Sequence, residues 1–142
     1  MNKQGPIVLI EENKENRLLF EQIFTGMELE NGLLCFTTFA EAQRHIISEK
    51  IKPFLLFSNV LQFSEDHKQS SHQKNMFLKL KCPCLYFSIL FTQCFVVDSS
   101  SIPAKSYFTA PYNENKFTEV INSIVRSWQV KKDKKKPLLK IA

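Results

Sequence analysis

Residues 52–62 read KPFLLFSNVLQ: a proline, an unbroken apolar run over 54–57, then Ser58 and Asn59 before the chain turns apolar again. A run of this length without polar alternation fits a strand buried on both faces, as in a parallel sheet with helices on either side. Its exit is the informative part. Asn59 is an uncharged amide at the carboxyl end of the most hydrophobic strand in this half of the chain.

The same kind of run recurs on both sides of it. PIVLI at 6–10, LLCFT at 33–37, CLYFSI at 84–89 and SYFT at 106–109 are of strand length. Between the first two, Leu18, Leu19, Ile23, Phe24 and Met27 recur at helical spacing behind Asn13, a residue suited to capping a helix. Thr38-Phe-Ala-Glu41 has the spacing of a capping box and opens a second helix with Ala42, His45 and Ile46 on one side. Residues 62–75 are polar, and Met76, Phe77 and Leu80 predict only a weak helix. The last helix is the clearest, with Asn113 as its cap and Phe117, Val120, Ile121, Ile124, Val125 and Trp128 as its apolar stripe. Five apolar strands with helical segments between them predict an α/β fold, a doubly wound five-stranded parallel sheet. In such sheets ligands gather beyond the carboxyl ends of the strands, which directs attention to Glu11, Glu12, Asn59, Ser88 and Ala110.

Taken in that order, these positions resemble the receiver domain of two-component response regulators, over about residues 5–128. Glu11-Glu12 stands where that family places an acidic pair that holds Mg²⁺, and Asn16-Arg17 opens the first helix in the family's manner. Asn59 falls on the phosphoacceptor Asp, and Ser88 on the Thr or Ser that follows the phosphoryl group. Tyr107 falls on the aromatic switch residue, and Ala110-Pro111-Tyr112 on Lys-Pro-aromatic with the Lys replaced. The resemblance implies a flavodoxin-like fold and a part in phosphorelay signalling, with a histidine kinase or another regulator as protein partner.

The departures bear on chemistry. A carboxylate can attack phosphorus; the Asn59 amide carries no negative charge and is a poor nucleophile. Without the Lys, the charge that develops in transfer has one cation fewer to stabilise it. The expected molecule is a degenerate receiver that is not an enzyme. It needs no cofactor, binds Mg²⁺ weakly if at all through Glu11 and Glu12, and acts by contact with a partner through Tyr107, Tyr112 and Phe117. Residues 90–104, LFTQCFVVDSSSIPA, make a poor fourth helix, with β-branched residues, a serine run and Pro103. Two other readings are a Mg²⁺-dependent receiver phosphorylated at another residue, and an adaptor that uses a basic tail on nucleic acid or a membrane surface.

That tail holds most of the net charge of +5. Residues 131–142 contain six Lys and one Asp, so the first 130 residues balance at 13 basic and 13 acidic side chains. A lysine block of this kind reads as a solvated, disordered end, which makes nucleic acid an unlikely partner and leaves 1–130 as the folded domain. No apolar run reaches the roughly 18 to 20 residues of a membrane span, and the opening MNKQGPIVLI is too short to be a secretion signal, so a cytoplasmic protein is expected. Cys82-Pro-Cys84 is not a CxxC, Cys35 and Cys94 sit in apolar runs, and His45, His67 and His72 do not complete a metal-ligand spacing.

Overall fold

In the computed structural model, residues 1–60 and 81–131 are described. The weak helix expected before Lys81, His67 and His72, and nearly all of the lysine tail lie outside them. Strands β1 (Ile7–Ile10), β2 (Leu33–Phe36) and β3 (Leu55–Asn59) alternate with helices α1 (Lys14–Gly26) and α2 (Phe39–Ser48). Then come β4 (Cys84–Leu90), β5 (Gln93–Asp98), β6 (Lys105–Phe108) and a last helix, α3 (Glu114–Val130). The sheet order is β2-β1-β3-β4-β5-β6. The pairs β1/β2, β1/β3 and β3/β4 are parallel, while β4/β5 and β5/β6 are antiparallel.

The α/β class is as expected; the strand count and direction are not. Where five parallel strands with a poorly formed fourth helix are expected, the sheet among the described residues has six strands and is mixed, because residues 93–98 form β5. Leu90 faces Gln93 across a turn made by Phe91 and Thr92. Neither turn residue has a left-handed backbone; among the described residues that conformation belongs to Glu28, Lys50 and Lys81. The hairpin therefore lacks the Asn-Gly type of signal that usually marks one in a sequence. In β5, Cys94, Val96 and Asp98 point into the core while Phe95 and Val97 take the other face, so both faces are largely apolar and the strand's alternation is masked.

The serine run that argues against a helix has its own role. Ser99 Oγ donates to the Cys84 carbonyl at 2.9 Å, and the Cys84 amide donates to Ser100 Oγ at 2.9 Å, so the turn after β5 is latched to the start of β4. Asp98 is 5% exposed. Its Oδ1 accepts from the amides of Ser100 and Ser101 at 3.2 and 3.1 Å, and its Oδ2 accepts from Trp128 Nε1 at 2.7 Å. A buried carboxylate is tolerable only when its lone pairs are used, and here two backbone amides and an indole use them.

The helix starts follow the residues named from sequence. Asn13 caps α1 by accepting from the Asn16 amide at 3.0 Å, and Asn113 caps α3 through the Lys116 amide at 3.0 Å. Thr38 accepts from the Glu41 amide at 3.1 Å, but Glu41 bonds the Thr37 hydroxyl instead of completing the box. One sheet face, with Ile7, Leu9, Leu55, Phe57, Leu85 and Phe87, packs against α1 and α3. Phe20 is its centre, its ring 4.9 Å from Phe87, 5.6 Å from Phe57 and 5.9 Å, edge-on, from Phe117. The other face packs Val8, Ile10 and Leu56 against Phe39, Ala42 and Ile46 of α2.

Asp98→Ala removes the acceptor for three donors, one of them a buried indole N–H. It is expected to lower unfolding free energy by about 2–4 kcal/mol in urea titration, with a red shift of Trp128 emission as the ring gains water. A loss under about 0.5 kcal/mol, the scale of a neutral surface change, would mean that Asp98 is not what joins the hairpin to α3.

Candidate functional site

Parallel register sets the site. Ile10 lies beside Ser58, so the next residues along, Glu11 and Asn59, stand level where β1 and β3 end. Both are buried, at 2% and 8% exposure. Asn59 Nδ2 donates to Glu11 Oε1 at 2.9 Å, and Asn16 Nδ2 donates to the same oxygen at 2.7 Å. Glu11 Oε2 accepts from the Asn13 amide at 3.3 Å. The Glu11 backbone is also held, its N–H by the Phe36 carbonyl at 2.9 Å and its own carbonyl by Arg17 Nη1 at 2.9 Å. The start of α1 thus wraps the carboxylate, with Asn13 and Asn16 as donors, and the exit of β3 supplies the third.

This geometry settles which way round the Asn59 amide lies: a carboxylate offers only lone pairs, so the NH₂ must face it. It also shows what the acidic pair does. Glu11 spends its oxygens on three N–H donors, whereas Glu12 is exposed and its carbonyl takes Arg17 Nη1 at 2.7 Å. Mg²⁺ takes near-octahedral oxygen ligation, so to bind here it would have to displace these N–H donors from the Glu11 oxygens. Among the described residues no cluster of three or more His, Cys, Asp or Glu is placed to hold a metal ion.

The other positions do not converge on Asn59. Ser88 is not at a strand end: β4 runs on to Leu90, and Ser88 pairs with Phe95. Asn59 pairs with Phe87, so alternation sends Ser88 to the opposite face of the sheet. Tyr107 pairs with Val96 on β6, and Ala110 follows β6, exposed. Because β5 lies between β4 and β6, β6 is three strand spacings from β3, ~14 Å, in the order β3-β4-β5-β6. Position 110 thus follows a strand that is not a neighbour of β4. Tyr112 is half-buried and donates its amide to the Phe91 carbonyl at 2.9 Å. Phe117, expected at a partner face, is fully buried in the core and can meet no partner.

Sequence reasoning missed two residues. Asn16, which the sequence marks only as a helix opener, makes the shortest bond to Glu11; its place in the first turn of a helix that starts beside the strand end is the available signal. Asp98, a lone acid in an apolar run, was the other. The cysteines are free thiols; burial pushes Cys94 up, and it accepts from Thr109 Oγ1 at 2.9 Å. His45 stacks on Phe36 at 5.2 Å, away from Glu11's donors. No family model, no curated protein and no solved structure matches this chain.

Asn59→Asp keeps the shape and replaces the donor with a second carboxylate at the same contact. Like charges at that distance are expected to cost about 2 kcal/mol of stability at neutral pH, and millimolar Mg²⁺ should restore part of it. Thermal melts with and without the metal check both points, and an unchanged melt in the variant would mean the contact with Glu11 is not formed.

Proposed function

We propose that this chain is a receiver-like, flavodoxin-type domain that has given up phosphoryl transfer and works in signal transduction by protein contact. The observation that carries the reading is the bond from Asn59 Nδ2 to Glu11 Oε1. An internal amide N–H stands where a receiver would hold a cation between its acidic side chains. The site is self-satisfied: it needs neither metal nor phosphoryl group to offset its buried charge. The parallel part of the sheet, β2-β1-β3-β4, supports the receiver likeness in strand order, with α1 and α2 on opposite faces. No helix among the described residues is long and apolar enough to cross a membrane. The partner is a histidine kinase or another regulator in the same pathway.

The inserted hairpin supports contact as the mode of action. Phe91 at its tip is 68% exposed and Phe108 on β6 is 75% exposed. The Phe108 ring lies 6.0 Å from that of Phe95, so the two form an aromatic pair on the sheet face away from Trp128. Exposed aromatic side chains such as Phe91 and Phe108 are costly in water and are typical anchors of protein interfaces.

Incubation with acetyl phosphate and Mg²⁺, followed by intact mass measurement, is expected to give no phosphoryl adduct on the natural chain. Asn59→Asp should gain at most slow phosphorylation, and the further change Ala110→Lys should add nothing, since position 110 is too far away. A stoichiometric adduct on the natural chain would overturn the reading. A marked gain from Ala110→Lys would show that the two positions meet.

A further inference from the structure

At the opposite end of the sheet from Asn59, the residues that lead into β1, β3 and β4 enclose a groove of about 930 Å³. Lys50, Lys52 and Lys81 line it, all exposed, over a floor of half-buried Ile51 and buried Pro53. No acidic side chain and no aromatic ring is among its described lining residues. We propose that this groove binds an acidic, partly apolar segment of a protein partner, with the three ammonium groups on its carboxylates and Ile51 and Pro53 beneath its apolar side chains.

Two features make this more than a set of surface lysines. The first is rigidity. Asn2 Nδ2 donates to the Lys52 carbonyl at 2.8 Å, the Phe54 amide donates to the Pro6 carbonyl at 2.8 Å, and Asn31 Nδ2 holds the carbonyls of Lys3 and Gly5 at 2.9 and 2.7 Å. Gly5 permits this closeness, since a Cβ there would collide with the Lys52 carbonyl oxygen. The wall is built before a ligand arrives, which spares the ordering cost of binding.

The second is the backbone at two of the three lysines. Lys50 has φ 53° and Lys81 φ 54°, in the left-handed region where glycine is favoured and a side chain carries an energetic penalty. Lys50 follows the end of α2, a position where glycine is the usual residue. The chain keeps long cationic side chains at two positions where the fold alone would prefer none, and both line the same groove. The ligand is a peptide rather than a nucleic acid because the described floor, Ile51 and Pro53, is aliphatic and offers no ring on which a base can stack.

The strained lysines also supply a clean test. Lys50→Gly with Lys81→Gly relieves the backbone while removing the charges, so loss of binding cannot be loss of fold. Fluorescence anisotropy on the full chain would use a short labelled peptide alternating Glu and Leu, against the same peptide with Gln for Glu. The Glu peptide is expected to bind more tightly, and more so at low salt, and the double glycine variant to bind about fivefold more weakly, as two exposed ion pairs would give, while melting no lower than the parent. The proposal is overturned if the Gln peptide binds equally, or if the glycine variant binds as the parent does, which would assign the affinity to the lysines of residues 131–142. It is equally overturned if oligouridylate or phosphatidylserine vesicles displace the peptide and lose their own affinity in the variant.

Discussion

A carboxylate with 5% exposure has to be given donors from the protein, and at Asp98 those donors come from two places that are distant in the chain. The amides of Ser100 and Ser101 lie in the turn just after β5, while the indole of Trp128 lies near the end of α3. Meeting both requires residues 93–98 to run back along β4 as a strand and α3 to lie across the end of that strand. The hydroxyls of Ser99 and Ser100 then close on Cys84 and fix the hairpin's origin. β5 then lies between β4 and β6 in the sheet. The separation of Ala110 and Tyr107 from Asn59 is thus a consequence of how one buried charge is satisfied.

The two ends of the β1/β3 pair show a different economy. At the carboxyl end Glu11 is satisfied by amides from Asn13, Asn16 and Asn59, all neutral. Charge-assisted hydrogen bonds of this type are among the stronger ones and need no counterion. At the amino end the chain leaves three cations with no acid among the described residues that line their groove. At one end of the sheet the buried charge is met by neutral donors, and at the other the exposed cations face solvent.

What could be read beforehand follows from the physics of each segment. β1 and β3 are buried on both faces and read as unbroken apolar runs, as does the half-buried edge strand β2, and Asn13, Thr38 and Asn113 announce their helices because capping is a local interaction. The placement of Glu11 beside Asn59 was legible too, since parallel register follows from consecutive strand–helix–strand units. The hairpin was not. Phe91-Thr92 is a turn without a turn residue, Phe95 and Val97 hide the alternation of β5, and the meaning of DSSS at 98–101 depends on an indole thirty residues away. Non-local satisfaction of a polar group leaves no local pattern. The positions read from sequence as one site follow one another along the chain, but β5, lying between β4 and β6, keeps them apart in space.

In the described sheet β6 is the last strand, and its outer margin carries the unpaired backbone groups that let sheets grow by adding a neighbour. The stretch is short, Lys105–Phe108, and Pro103 and Pro111 stand close on either side of it. Proline has no N–H to offer an incoming strand, and Lys105 sets a charge at the start of the ladder. The margin on which the exposed Phe108 sits is therefore guarded against self-assembly into longer sheets, while the aromatic ring itself, projecting from the face rather than the edge, stays available.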